Sequence, residues 1–162
     1  MLIRDATGAD WGTIWPFFQH IVAAGDTYCY DRDITENQAR GVWLLEPPGR
    51  TVVATDPDHT VLGSAKMHPN HGGPAAHIAT ASFMVDPRHT GRGVGRALGC
   101  HVLEWACTQG YRAIQFNAVV ETNTRAVALW RSLGFAVLAT VPEAFHHPVH
   151  GYVGLQIMHR RI

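Results

Sequence analysis

Apolar positions recur along the chain in two rhythms, and the switches between them mark out its elements. Ile14, Phe17, Phe18, Ile21 and Val22 repeat at helical spacing, which predicts a helix from Asp10 to about Ala23, closed by Gly25. Pro16 is expected near its first turn, where a missing N–H is tolerated. A second helix is predicted from Glu36 to Leu44, with Thr35 as its cap. Between them lies the polar-aromatic loop from Asp26 to Asp31. Leu2 to Arg4 reads as a short strand. Thr51 to Thr55 and Thr60 to Met67 read as a hairpin turned at Asp56-Pro57-Asp58-His59. His77 to Val85, Arg112 to Val120, Phe135 to Val141 and Tyr152 to His159 are further strands. Helical spacing returns from Gly93 to about Gln109, with Val94, Leu98, Val102 and Trp105 on the buried side, and from Thr124 to Ser132. The pattern predicts an α/β (α+β) fold, one mixed sheet with helices on its faces, and no internal repeat or linker.

The most informative junction joins the strand ending at Val85 to the helix starting near Gly93. Gly91, Gly93 and Gly95 remove alternate side chains from the intervening loop, so its backbone can approach a ligand closely. The loop feeds a helix N-terminus, where N–H groups lack intrahelical partners and the macrodipole is positive. Arg92 and Arg96 add full charge beside it, which suits a phosphate. The terminal Gly-Lys-Ser/Thr of a nucleoside-triphosphate loop is absent. Leu98 stands where a dinucleotide-binding fingerprint needs Gly or Ala.

A second segment, Asn123-Thr124-Arg125-Ala126-Val127-Ala128-Leu129-Trp130-Arg131-Ser132-Leu133-Gly134-Phe135, narrows the reading. Together the two segments resemble the acyl-CoA signature of the GNAT superfamily of N-acetyltransferases. That signature is an Arg/Gln-x-x-Gly-x-Gly loop followed, after the next strand, by Asn-x-x-Ala-x-x-Leu-Tyr-x-x-x-Gly-Phe. Thr90 replaces the usual Arg or Gln, and Trp130 the usual Tyr. The resemblance implies a mixed, mostly antiparallel central sheet flanked by helices, and one N-acetyltransferase domain over residues 1–162. It also implies acetyl-CoA as the acyl donor and direct attack by an amine in a ternary complex. Thr90, Gly91, Arg92, Gly93, Val94, Gly95 and Arg96 would hold the pyrophosphate. Backbone groups of Phe83, Met84 and Val85, with Asn123, Ala126 and Trp130, would line the pantetheine arm. Tyr28 and Tyr30, on the loop between the first two helices, and Phe145, between the last two strands, are expected at the acceptor pocket.

Catalysis of this kind needs a neutral amine, donors for a developing oxyanion, and a route for protons. Many family members carry a Glu in the strand before the glycine loop. Here that strand reads His77-Ile78-Ala79-Thr80-Ala81-Ser82 and has no carboxylate. Thr80 and Asn117 are expected to hydrogen-bond the acceptor, and Asn123 to cap its helix and bond the pantetheine. His77 is a base candidate at the strand end. The Trp130 indole donates a hydrogen bond but gives up no proton near neutral pH, so packing is its expected role. Within the superfamily, Thr27-Tyr28-Cys29-Tyr30, His68-Pro69-Asn70, Gln115-Phe116-Asn117 and Leu129-Trp130-Arg131 look like the azetidine-2-carboxylate and proline-analogue N-acetyltransferases, although Thr80 stands where that subgroup has Asn. Two other readings stay open: a peptide or protein N-acetyltransferase, and a non-enzymatic acyl-CoA sensor.

Composition adds mainly exclusions. The formal net charge is zero, so no global basic surface recruits nucleic acid or an anionic membrane. No apolar run is long enough to span a bilayer, and the first residues lack a signal-peptide core, so a cytoplasmic location is expected. Cys29, Cys100 and Cys107 form no CxxC pair and are expected to be reduced. The 11 histidines show no zinc spacing, and no metal is expected. The expected partner is a small-molecule amine acceptor, with a homodimer left open.

Overall fold

The computed structural model describes residues 1–162. The elements are β1 (Leu2–Asp5), α1 (Trp11–Ala24), α2 (Glu36–Trp43), β2 (Arg50–Thr55), β3 (Val61–Pro69), β4 (Ile78–Val85), α3 (Val94–Thr108), β5 (Ala113–Val120), α4 (Thr124–Ser132), β6 (Ala136–His147) and β7 (Gly151–Arg161). The strands form one seven-stranded sheet in the order β1-β2-β3-β4-β5-β7-β6. Every neighbouring pair is antiparallel except β4–β5. The expected mixed, mostly antiparallel sheet is therefore the one found.

Strand alternation assigns the two sheet faces, except at Val61 and Leu62, where the β2–β3 register shifts. Leu62, Ala65, Met67 and Ala79 turn towards α3 and α4, meeting Leu98, Val102, Trp130 and Leu133 in the larger core cluster. Val53, Val61 and Met84 turn the other way, onto Ile14, Phe18 and Trp43 of α1 and α2. Hydrogen bonds fix α2 on this second face. The Trp43 indole donates to Ser64 Oγ at 3.0 Å, and Thr51 Oγ1 donates to the Trp43 carbonyl at 2.6 Å. At the chain start, Arg4 donates twice to Asp10, at 2.8 and 2.7 Å, and so ties β1 to the head of α1.

Two local expectations are corrected. Pro16 lies in the second turn of α1, past the first. The carbonyl it leaves without an N–H partner belongs to Gly12, and both residues sit on the exposed face, where water can serve that carbonyl. Phe145, His146 and His147 do not lie in a connection, because β6 continues to His147. Pro142 interrupts the ladder without ending it. The β6–β7 register shifts between Val141 and Phe145, Glu143 takes φ 53°, and pairing resumes at Phe145↔Val153.

Candidate active site

β4 and β5 pair only at Ile78↔Ala113 and Ala79↔Ile114, after which they diverge. β5 also carries an irregularity against β7 between Phe116 and Val119, which frees Asn117 and Ala118 from the ladder. The opening between the strands is part of a cleft of about 1010 Å³. The loop after α1 runs along one end of it, and the glycine loop with the heads of α3 and α4 lies at the other.

At the glycine loop, Gly91 and Gly93 take φ of 79° and 78°. Such angles favour glycine, and a Cβ built on either would meet no protein atom within 4 Å. Gly93 is the N-cap of α3, gives it no capping side chain, and no acid occupies the first turn. The first N–H groups of α3 thus open onto free space at the positive end of the helix. Arg96 donates to Ser132 Oγ at 2.7 Å and lines the cleft. Arg92 does not: its guanidinium lies 3.1 Å from His89 Nδ1. Arg88 is also engaged elsewhere, bound to the buried Asp86 at 2.6 Å. Burial pushes the Asp86 carboxyl up, but hydrogen bonds and charge from Arg88, with the charge of His89, hold it below its ordinary value.

Phe83, Met84, Val85, Thr90, Gly95, Asn123, Ala126 and Trp130 line the cleft. Asn123 Oδ1 accepts from Ala126 N–H at 3.2 Å and so caps α4. Trp130 is buried among aromatic neighbours, with ring centroids 4.6 Å from Phe83 and 5.0 Å from Phe116.

The other end of the cleft holds Tyr28, Tyr30, Thr80 and Asn117. The Tyr28 hydroxyl donates to the Phe83 carbonyl, and its ring stacks on Tyr30 at 5.7 Å and 7°. Burial, then the neighbouring Tyr30, pushes the Tyr28 phenol far above its ordinary value; burial, then Cys29, pushes Tyr30 up to about 12. Both phenols therefore keep their protons at neutral pH. Asn117 Nδ2 donates to Asn70 Oδ1 at 2.6 Å, and Asn117 Oδ1 accepts from Gln115 at 2.9 Å. Phe145 is not in the cleft. It is buried in a small cluster with Val120 and Val153, because the resumed β6 strand turns it inward. His77 is exposed, with Nδ1 at 3.1 Å from the Pro74 carbonyl, and does not line the cleft.

Sequence reading missed Lys66, His68 and Ser82 as cleft residues. The β3–β4 register pairs Lys66 with Ser82 and His68 with Thr80, and places all four on the face towards α1 and α2. His68 Nδ1 lies 2.8 Å from the Pro69 carbonyl. A carbonyl only accepts, so Nδ1 is the donor in this contact, and in the neutral ring Nε2 is then the acceptor nitrogen. The available signal was the polar residue at every second position of β3, Ser64, Lys66 and His68, between Ala65 and Met67.

A sheet split beside a glycine loop, with an uncapped helix N-terminus at one end and a polar-aromatic pocket at the other, defines the class: an acyl-CoA-dependent acyltransferase. The chain belongs to the Acetyltransferase (GNAT) family, which matches residues 14–135. A GCN5-related N-acetyltransferase from Kribbella flavida is 61% identical, with a TM-score of 0.97 over 99% of this chain and 97% of that one. The N-acetyltransferase aca1 of Schizosaccharomyces pombe is 28% identical over 160 residues, 90% of this chain and 77% of its own length. The L-methionine sulfoximine/L-methionine sulfone acetyltransferase of Salmonella typhimurium is 26% identical over 145 residues, 88% of this chain and 84% of its own. The protein is an acetyl-CoA-dependent N-acetyltransferase of GNAT type.

Proposed function

We propose that this enzyme acetylates the amine of a small amino acid or cyclic imino acid bearing a free carboxylate, with azetidine-2-carboxylate and proline analogues as the acceptor type. The observation that carries this reading is the polar-aromatic end of the cleft, with Tyr28, Tyr30, Thr80 and Asn117 beside the split between β4 and β5. The Salmonella relative adds support, since both acceptors in its name derive from an amino acid.

Acetyl-CoA, when bound, supplies a thioester acetyl group open to attack by an amine. The residues fit it: the open space beside Gly91 and Gly93 and the uncapped head of α3 suit the pyrophosphate, with Arg96 alongside. The divergent edge of β4 at Phe83–Val85, with Asn123, is assigned to the pantetheine arm. The acceptor amine must be neutral to react, and β4 provides no carboxylate to take its proton. The cleft is open to solvent, which can take the proton, and His68 lines the same cleft. Trp130 packs and donates no proton.

The test is acetyl-CoA turnover against a panel: azetidine-2-carboxylate, proline, methionine sulfoximine, a polyamine and a short peptide. Turnover of the amino and imino acids is expected. Preference for the polyamine or peptide would refute the reading, and no turnover with tight acetyl-CoA binding would favour a sensor.

A further inference from the structure

The acceptor end of the cleft holds one full positive charge that no carboxylate of the protein neutralises. The ion pairs of the chain are Arg4–Asp10, Arg50–Asp5 and Arg88–Asp86, and Lys66 is in none of them. Its ammonium donates to the Val42 carbonyl at 2.7 Å and lies 5.7 Å from the ring centroids of both Tyr30 and Trp43. An ammonium has three protons, so two remain for a ligand. The other arginine and lysine side chains on the cleft wall, Arg96 and Arg125, belong to the opposite end, at the heads of α3 and α4.

Position reinforces charge. Lys66 stands opposite Ser82, one alternation along β3 from the pair His68 and Thr80. Tyr30, under its ammonium, stacks on Tyr28, which holds the Phe83 carbonyl on β4. The cation is thus one stacked pair of rings, Tyr30 and Tyr28, away from the Phe83 carbonyl on the strand that opens the cleft. Burial disfavours its charged form and moves it below the ordinary lysine value, a cost that an incoming anion relieves. Asn117, in contrast, has most of its amide committed to Asn70 and Gln115, with one N–H left.

We propose that Lys66 is the carboxylate-binding residue of the acceptor site, forming a charge-assisted hydrogen bond to the acceptor with the Thr80 and Ser82 hydroxyls beside it. This assignment rests on the amino-acid reading above. It builds the carboxylate site around a partly desolvated cation, where a charge-assisted hydrogen bond is strong.

The experiment compares azetidine-2-carboxylate with its methyl ester in the wild type, Lys66→Met and Lys66→Arg, alongside the KM for acetyl-CoA and thermal melts. In the wild type, kcat/KM for the acid is expected to exceed that for the ester at least tenfold. Lys66→Met should collapse that ratio towards unity, leave the ester within about twofold and leave the KM for acetyl-CoA unchanged; Lys66→Arg should restore part of the ratio. An unchanged ratio in Lys66→Met overturns the assignment alone, and leaves Lys66 as a cap on the last turn of α2. Equal use of acid and ester by the wild type overturns the amino-acid reading, and this assignment with it. Should Lys66→Met not fold, wild-type enzyme is labelled with acetic anhydride and read by mass spectrometry. The acid, and not the ester, should protect Lys66; equal protection by both, or none, overturns the assignment.

Discussion

Replacing Gly93 with Glu tests whether the head of α3 holds the CoA pyrophosphate. Gly93 sits at φ 78°, and a Cβ there meets no protein atom within 4 Å, so the new side chain enters the space assigned to the ligand. Two effects follow, and they separate. Any L-residue at this angle is strained by roughly 1–2 kcal/mol, which lowers Tm by about 2–8 °C in a domain of this size. The Glu carboxylate adds repulsion that appears only when the ligand binds. At about 5 Å and an effective dielectric near 20, Coulomb's law gives roughly 3 kcal/mol per phosphate charge, reduced by salt because the loop is exposed. A net loss of about 3 kcal/mol raises the Kd for CoA by on the order of a hundredfold. Gly93→Ala carries the strain without the charge, so its Kd should stay within about fivefold of the wild type. Calorimetric titration of both folded variants with CoA decides the matter. Wild-type affinity in folded Gly93→Glu would refute the pyrophosphate assignment.

Trp130→Phe should keep kcat within about tenfold, since the indole packs against Phe83 and Phe116. A loss beyond about a hundredfold in a folded variant would show that the indole N–H takes part in catalysis. Asp10→Asn should destabilise the fold by about 2 kcal/mol at pH 7, measured by urea unfolding. Hydrogen bonds from Arg4, outweighing burial and aided by Thr7, hold Asp10 at about 2, below the ordinary 3.8. The pair's contribution is therefore complete above about pH 4, and the gap between variant and wild type should close as the pH falls through 2; a gap independent of pH would contradict the linkage.

The donor end of the cleft was legible because its chemistry is local. Gly91 and Gly93 shape the loop through their own left-handed backbone, and Asn123 caps the helix it begins, so a linear reading contains the geometry. The acceptor end is not local. Lys66 and His68 belong to it only because β3 pairs with β4 in the register Lys66↔Ser82 and His68↔Thr80, and a one-residue slip would turn both to the other face. Phe145 failed for a related reason. Pro142 has the chemistry of a strand end, yet the bulge around Glu143 lets pairing resume and carries Phe145 into a core beside Val153. Helix and strand rhythms were otherwise reliable, since they depend on which face each element buries.

On the proposed reading the acceptor is a small amine recognised through its carboxylate. The most direct measurement is the ratio of kcat/KM for azetidine-2-carboxylate to that for its methyl ester, with saturating acetyl-CoA. A charge-assisted hydrogen bond to the carboxylate, worth at least about 1.5 kcal/mol, predicts a ratio above ~10. A ratio near unity, or faster turnover of a polyamine or peptide than of the imino acid, would contradict the account.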